Sequence, residues 1–272
     1  MNLDYLAFLS FMVATGLYWF MGPGGPLHTI DVQSPFRTQI DDASRANSVL
    51  LWLVGAPTAA FAVVFMIFEG LFGGAAMLLF GTAALFYSFG REDYPTLTQR
   101  VLARARAGDS AGAARVIDAT ESDGEAHDDA EFCGEASVFF SKMAMQRWFG
   151  PVIYFFLMGP AGAVAYRLAH ETQETAFPVS ESVMRVIEWL PSRLMALSFA
   201  VFGDFDKTLG HVVQKGPSLQ PSTAEFFEDA VDAALEGDKR ELAVYERLSG
   251  LFRLLDRSFL LWLGIFALFI LV

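Results

Sequence analysis

Apolar residues gather in long uncharged runs along this chain, rather than recurring at the spacing of an amphipathic helix or strand. Three such runs lie in the first third, at about 5–21, 49–68 and 71–89. Each is close to the ~20 residues that a helix needs to cross the roughly 30 Å hydrocarbon core of a bilayer. The pattern predicts an all-α, multi-pass helical membrane bundle, with residues 1–90 as its N-terminal membrane part.

The borders of these runs refine the prediction. Only Glu69-Gly70 separates the second run from the third, which predicts a tight antiparallel hairpin. Pro57 predicts a kink in the second helix, because proline removes a backbone hydrogen bond. A signal peptide is the rival interpretation of the first run. The flanking Asp4 and the Gly/Pro-rich segment 22–26 lack the positive n-region and cleavage site of such a peptide, which favours a retained span.

The second half of the chain holds two further runs and one ambiguous segment. Residues 148–168 are predicted to form a fourth span, interrupted only by Gly159-Pro160, and residues 258–272 the last. Because the last run is short for a bilayer, its helix is expected to begin earlier, near Leu251. Residues 183–202 fit either an interfacial amphipathic helix or a helix inserted in the bilayer. Together with the fourth span, this segment is predicted to form a membrane hairpin over 148–204.

Lysine and arginine are concentrated in two segments, 91–147 and 205–257, with seven in each. Positive loops face the cytoplasm, so both segments are predicted to lie there, together with Cys133, and the N-terminus outside. Two cytoplasmic segments require an even number of crossings between them. The fourth span supplies one crossing, which favours insertion of 183–202 as the second.

Each positive segment has the pattern of a helical hairpin. In the first, a helix from Tyr94 ends at Gly108, and Asp109 or Ser110 can cap a second helix that runs to Thr120. In the second, 222–225 (Ser-Thr-Ala-Glu) is a capping box that opens a helix ending at Gly237. Asp238 then caps a helix that can continue into the last span. The acidic stretch 121–131 is predicted to be a solvated, disordered linker.

Composition supports the membrane prediction and excludes one class of partner. The chain is 54% hydrophobic and 18% charged, whereas soluble domains average roughly 45–50% and about 25%. Its formal net charge is −12. Nucleic-acid binding needs a clustered basic surface, so the charge argues against a nucleic-acid partner and leaves the lipid bilayer as the predicted one.

No motif in the chain proposes a reaction. A phosphate-binding loop, a dinucleotide-binding glycine motif and an H-E-x-x-H zinc motif are all absent from the sequence. His28, His127, His170 and His211 are scattered, and Cys133 has no histidine arrangement that would make it a nucleophile. We therefore predict no catalytic residue, cofactor or metal ligand.

One group of charges is a candidate functional or structural cluster. Arg167, Glu188 and Arg193 fall in or beside apolar helices, where an unpaired charge costs about 2.5–3.5 kcal/mol. We expect Glu188 to be neutralised at membrane depth by Arg185 or Arg193, together with Arg167. The alternative places these charges in the headgroup layer, exposed and unpaired.

Small residues and prolines in the same region are assigned to helix packing and bends. Gly159 and Gly162 are expected to allow close helix packing. Pro191 is expected to mark a bend in its helix. Arg147, at the start of the fourth span, is interpreted as a positive-inside anchor.

Two stretches carry a resemblance to a known family. They are 159–163 (Gly-Pro-Ala-Gly-Ala) with Tyr166-Arg167, and 189–194 (Trp-Leu-Pro-Ser-Arg-Leu). In these stretches the chain resembles the AmpE family of inner-membrane regulatory proteins, which is linked with the amidase AmpD and with β-lactamase induction. The wider relatives are the CobD/CbiB synthases of cobalamin assembly. The resemblance covers about the last two thirds of the chain.

Departures from the synthase pattern separate the two relatives. The synthases carry E-x-x-x-E-N-x-x-D before the fourth span, whereas Glu135 is here followed by Ala-Ser-Val-Phe-Phe. They carry N-T-x-D-S-M where 170–175 reads His-Glu-Thr-Gln-Glu-Thr, and their G-D-P and H-P patterns are missing from 22–28. Joining a phosphate ester to a corrinoid with ATP requires polar groups that hold metal and phosphate. The departures favour the AmpE family.

The resemblance implies a non-enzymatic regulatory or signalling protein of the bacterial inner membrane. It also implies a protein partner in cell-wall recycling or signalling, and leaves self-association as a homo-oligomer open. One alternative is a membrane-bound CobD/CbiB-like synthase with an altered site, which would catalyse ATP-dependent amide formation. Another is a small transporter or assembly partner. A transporter should place more polar residues along one path through the membrane.

Overall fold

The computed structural model describes residues 3–22, 31–39, 48–90, 94–121, 129–175, 178–235 and 243–271. Within these ranges nearly all residues are helical and none lies in a β-strand. The prediction of an all-α fold is confirmed. The acidic stretch 122–128, the Gly/Pro-rich segment 23–30 and the predicted Gly237-Asp238 cap lie outside the described residues.

Eleven α-helices are numbered here in chain order among the described residues. Their bounds are α1 Leu3–Met21, α2 Ala56–Phe72, α3 Gly74–Ser88, α4 Tyr94–Arg106, α5 Ser110–Glu121, α6 Asp129–Ala144, α7 Gly150–Glu171, α8 Glu181–Phe202, α9 Phe205–Lys215, α10 Thr223–Leu235 and α11 Val244–Leu271. Two π-helical segments, Leu50–Gly55 and Met145–Phe149, lead directly into α2 and α7. Short 3-10 helices cover Ser34–Gln39 and Thr172–Glu174.

The helices form two compact units. The first unit comprises 1–92, 146–188 and 264–272, and the second comprises 93–145 and 189–263. The first unit holds the three N-terminal apolar runs, and the second holds both cytoplasmic hairpins predicted from the sequence. α8 and α11 each contribute residues to both units.

In the first unit, α1 and α3 run in the same direction. A Cβ atom at Gly74, the first residue of α3, would lie 2.5 Å from Leu6 Cδ1, near the start of α1. Ser10 Oγ donates to the Met77 carbonyl at 3.2 Å, and the rings of Tyr18 and Phe89 meet at 5.8 Å where both helices end. The parallel arrangement agrees with the predicted topology, in which the first and third spans cross the bilayer in the same direction.

α2 and α3 form the predicted antiparallel hairpin. Phe61, Phe65 and Phe68 of α2 surround Phe80 of α3, with ring centroids 5.3–5.8 Å away. The turn lies at Gly73, where φ is +57°, rather than at 69–70, because α2 continues to Phe72. Pro57, which was predicted to kink the second helix, lies in the first turn of α2, directly after the π-helical segment.

α7 reverses direction at Gly159, which has φ 72° and ψ −166°. The rings of Tyr154 and Tyr166 are stacked with centroids 5.2 Å apart, although twelve residues of straight helix would separate them by about 18 Å. A Cβ at Gly150 would lie only 2.1 Å from Tyr166 Cζ. Residues 150–158 and 160–171 are therefore two antiparallel arms, which we call the helical hairpin.

The helical hairpin corrects the prediction of one continuous span over 148–168. Gly159 supplies the left-handed backbone conformation that a reversal needs, and Pro160 has no N–H to continue the hydrogen-bond ladder. Because both arms are apolar, the pattern of hydrophobic positions does not distinguish a hairpin from a single continuous helix.

The two ends of the helical hairpin lie at the same end of the first unit. Arg147 Nε, just before the first arm, donates to the Phe89 carbonyl at 3.0 Å. Arg167, in the second arm, lies against Gly90, where a Cβ would be 3.1 Å from its Nη1. Near the tip, Phe155 approaches Gly81 in the middle of α3. Both ends of the hairpin therefore meet the carboxyl end of α3.

The second unit confirms two predicted helical features. α4 ends before Gly108, with φ 74°, and Asp109 Oδ1 accepts from the Gly112 N–H at 2.8 Å at the start of α5. At α10, the Ser222 N–H donates to Glu225 and the Glu225 N–H donates back to Ser222 Oγ, as the capping box predicted. α11 is one helix from Val244, earlier than Leu251, into the last apolar run.

Two helical stretches among the described residues are long and apolar enough to cross a membrane, Leu50–Phe72 and Asp129–Glu171. The second contains the reversal at Gly159 and so is not one straight rod. In the first, only 17% of the most apolar window is buried within the protein. Tyr5–Met21 and Gly74–Ser88 are shorter apolar helices.

Candidate functional site

Four polar or titratable side chains come together in the first unit, where the helical hairpin packs against the start of α8. Tyr154 lies on the first arm, Tyr166 and His170 on the second, and Glu188 on α8. The reversal at Gly159 brings the first three together, because it places the two arms side by side. We call these four residues the hairpin cluster.

The two tyrosines fix the hairpin cluster to its surroundings. Tyr154 donates its hydroxyl to the Ile187 carbonyl of α8 at 2.8 Å. Tyr166 is buried beneath Tyr154 and against Gly150, and its ring lies 4.5 Å from that of His170. Its hydroxyl has no hydrogen-bond partner within the described part of the chain. Only a glycine at position 150 leaves room for this ring.

His170 and Glu188 form the charged part of the hairpin cluster. His170 Nε2 lies 3.7 Å from Glu188 Oε1, and each residue is only 7% exposed. The contact is an ion pair only when the imidazole carries a proton. It joins the second arm of the hairpin to α8, so the position of α8 and the charge state of the pair are physically linked.

Arg167 has a carboxylate partner on its own helix. Its Nε lies 3.0 Å from Glu171 Oε1, one helical turn later, and Tyr87 of α3 donates its hydroxyl to Glu171 Oε2 at 2.8 Å. The expectation that Arg167 neutralises Glu188 is therefore replaced by a pair with Glu171. A partner four residues away was available in the sequence, since such spacing places two side chains on one helix face.

Arg193 lies in the second unit and holds the turn after α9. Its Nε donates to the Gly216 carbonyl at 3.1 Å and its Nη2 to the Ser218 carbonyl at 2.9 Å. The guanidinium also stacks over the Phe226 ring at 4.1 Å. No carboxylate in the described ranges lies within ion-pair distance of it. Carbonyls and an aromatic face compensate this 8% exposed cation, and the expected pairing with a carboxylate is replaced by these contacts.

The glycines and the proline assigned to packing have different roles. Gly159 makes the turn of the hairpin, and a Cβ there would meet nothing within 4 Å. Gly162 does serve close packing, because a Cβ would lie 2.4 Å from the Tyr154 carbonyl oxygen of the opposite arm. Pro191 is buried inside α8, which stays helical from Glu181 to Phe202.

Two residues predicted to face the cytoplasm are buried. Arg147, interpreted as an anchor, is 3% exposed and faces the Tyr18 ring at 6.0 Å. Cys133 is 2% exposed in α6, in the second unit. A reagent that labels surface thiols therefore requires an introduced cysteine.

The second unit also contains a groove between α9 and α10, with a volume of about 520 Å³. Its charged lining consists of Lys215, Glu225, Glu228 and Asp229, and Lys215 pairs with Asp229 across it. Beside it, burial lowers the pKa of His211, which lies against Phe226, and this favours the neutral imidazole. In the described ranges, no three His, Cys, Asp or Glu side chains are placed to hold a metal ion.

Comparisons with known proteins find no relative. No protein family, no curated protein and no solved structure matches the chain. The polar side chains of the hairpin cluster mainly join helices. Of the helical hairpin, Gly159 forms the turn, and 160–163 and Tyr166-Arg167 lie in the second arm.

Proposed function

We propose that this chain is a multi-pass protein of a bacterial cytoplasmic membrane and acts there as a non-enzymatic regulatory protein of the AmpE type. The observation that carries the membrane part of the proposal is the surface of α2. This helix presents large apolar side chains outward along its length and carries one charged residue, Glu69, near its end.

Exposing this face of α2 to water would be energetically unfavourable. Val63, Val64, Met66, Ile67 and Leu71 are 44–71% exposed. Burying one such side chain fully is worth about 1.5–3 kcal/mol, so five half-exposed ones together forfeit on the order of 5 kcal/mol. Whole domains are stable by only about 5–15 kcal/mol. A bilayer removes this cost, and Leu50–Phe72 is long enough to cross one.

The end of α1 has the composition of a membrane interface. Trp19 and Phe20 are 85% and 91% exposed, and Tyr18 lies beside them with its ring buried against Phe89. Aromatic residues are enriched at the level of the lipid headgroups. α1 also runs parallel to α3, which supports the same direction of crossing for both.

In the proposed topology, α1, Leu50–Phe72, α3 and the end of α11 cross the bilayer. The N-terminus lies outside, and the positive segments 91–147 and 205–257 lie in the cytoplasm. The positive-inside rule supports this orientation. In this orientation the second unit, with its α4–α5 hairpin, lies in the cytoplasm. There it is accessible to a protein partner in signalling or cell-wall recycling.

The regulatory part of the proposal is supported by how the polar residues are used. Arg167 is paired with Glu171, Arg193 holds a turn, and the tyrosines pack one helix on another. The positions at which the synthases carry their acidic and amide groups hold Ala, Ser, Val and Phe after Glu135. These observations favour a role as a scaffold or regulator over the phosphate chemistry of a synthase.

A genetic experiment tests the regulatory role. The gene is deleted in its own bacterium, and β-lactamase induction by a β-lactam is measured beside growth that depends on cobinamide salvage. We expect altered induction, restored by the intact gene, and unchanged salvage. Normal induction with lost salvage would reject the regulatory role in favour of the synthase. A deletion that alters neither would also contradict the proposal.

A further inference from the structure

We infer that the helical hairpin is re-entrant: it enters and leaves the bilayer on the cytoplasmic side and does not cross it. This inference rests on the proposed membrane location. It changes the topology predicted from the sequence, in which 148–168 and 183–202 each cross once.

The arms are too short to span a bilayer. The helix of the first arm continues back through Met145–Phe149, so its depth is measured from Arg147, which donates to the Phe89 carbonyl at the end of α3. At about 1.5 Å per residue, 147–158 and 160–171 each rise about 18 Å, against a hydrocarbon core of roughly 30 Å. Each arm therefore reaches about half-way. Phe155, three residues before the tip Met158, approaches Gly81 in the middle of α3, which places the tip near the middle of the first unit's helices.

The ends of the hairpin mark the side from which it enters. Arg147 Nε donates to the Phe89 carbonyl, and Arg167 lies against Gly90, so both ends are at the carboxyl end of α3. Gln33 Nε2 donates to the Leu168 carbonyl in the second arm at 2.9 Å and to the Leu53 carbonyl before α2 at 3.2 Å. In the proposed topology all these levels are cytoplasmic, because α3 leads into the positive segment 91–147.

The tip of the hairpin suits a lipid environment. Leu157 and Met158 are 60% and 67% exposed and uncharged. Non-helical backbone at membrane depth requires protection by the protein. The turn keeps its irregular backbone to the single residue Gly159, and Gly162 lets the arms meet directly beside it.

A re-entrant hairpin removes the reason to insert α8. The two positive segments then share the cytoplasm with no crossing between them, and α8 begins on that side. The outward residues Val186, Leu197 and Val201 are 38–58% exposed and follow helical spacing. An apolar stripe of this kind fits a helix lying along the bilayer surface, the alternative that the sequence had left for 183–202.

Single cysteines in the full-length protein distinguish the two topologies. In a Cys133→Ala background, we compare Gly70→Cys near the α2–α3 turn, Ala111→Cys on α5 and Ser182→Cys at the start of α8, all exposed positions. Spheroplasts are treated with a membrane-impermeant maleimide before and after they are opened. We expect Gly70→Cys to be labelled in intact spheroplasts, and Ala111→Cys and Ser182→Cys only after opening.

The controls separate failure of this inference from failure of the membrane proposal. Labelling of Ser182→Cys in intact spheroplasts, with the other two as expected, would show that 148–168 crosses the bilayer and would overturn the re-entrant hairpin. Failure of Ser182→Cys to be labelled even after opening would also overturn the inference, since it would place the start of α8 within the bilayer instead of at its cytoplasmic surface. If Gly70→Cys and Ala111→Cys are labelled from the same side, the multi-pass topology itself is wrong, and the inference fails with it.

Discussion

At the scale of single residues, glycine decides the course of the helical hairpin. Gly159 makes the turn, whereas Gly150 and Gly162 leave space for the opposite arm. The sequence predicted that Gly159 and Gly162 matter, because small residues in apolar helices mark close packing. It could not identify what packs against them, because Tyr154 and Tyr166 are twelve residues apart and meet only after the reversal.

Gly162→Ala tests the reversal directly. In a straight helix, replacing an interior glycine by alanine gains about 0.5–1 kcal/mol. In the helical hairpin the new methyl group would lie 2.4 Å from the Tyr154 carbonyl oxygen, so we expect a loss of about 1–3 kcal/mol, the usual cost of overpacking. Thermal unfolding of the detergent-solubilised protein measures the difference.

Gly16→Ala in α1 is the matched control, since its methyl group would meet nothing within 4 Å. This variant should be as stable as the parent or slightly more so. If Gly162→Ala gains stability in the same way as Gly16→Ala, α7 is a continuous helix and the hairpin is rejected.

At the scale of elements, local signals predicted helix ends well and the joining of helices poorly. The capping box at 222–225 and the Gly108-Asp109 stop could be read directly, because the residues that make these bonds lie within three to five positions. The contact between His170 and Glu188 spans eighteen positions and depends on how α8 returns to the hairpin. No helical or strand period encodes such a pairing.

A double-mutant cycle tests whether His170 and Glu188 join α7 to α8. We expect His170→Gln and Glu188→Gln each to destabilise the protein, and the double variant to cost at least about 0.5 kcal/mol less than their sum, as for residues in contact. Arg253→Gln paired with Glu188→Gln is the control, because Arg253 is exposed in the second unit. The control pair should be additive, and additivity of the His170 pair would mean that the contact carries no energy.

At the scale of the whole molecule, the sequence predicted the helical class and the apolar segments, whereas the proposed path of the chain across a membrane depends on the reversal at Gly159. Charge counts predict that 91–147 and 205–257 lie on one side of the membrane. The number of crossings between these two segments follows from the sequence only if each apolar run crosses once. The fold-back at Gly159 removes that assumption, because an apolar run can also enter and return.

Alkaline carbonate extraction of isolated membranes tests whether the first unit resides within a bilayer. High pH strips peripheral proteins and leaves integral ones in place. Because Val63, Met66, Ile67 and Leu71 of α2 are each more than half exposed, we predict that the chain stays in the membrane pellet and is released only by detergent. Recovery of the folded chain in the carbonate supernatant would show that the first unit is not embedded in a bilayer.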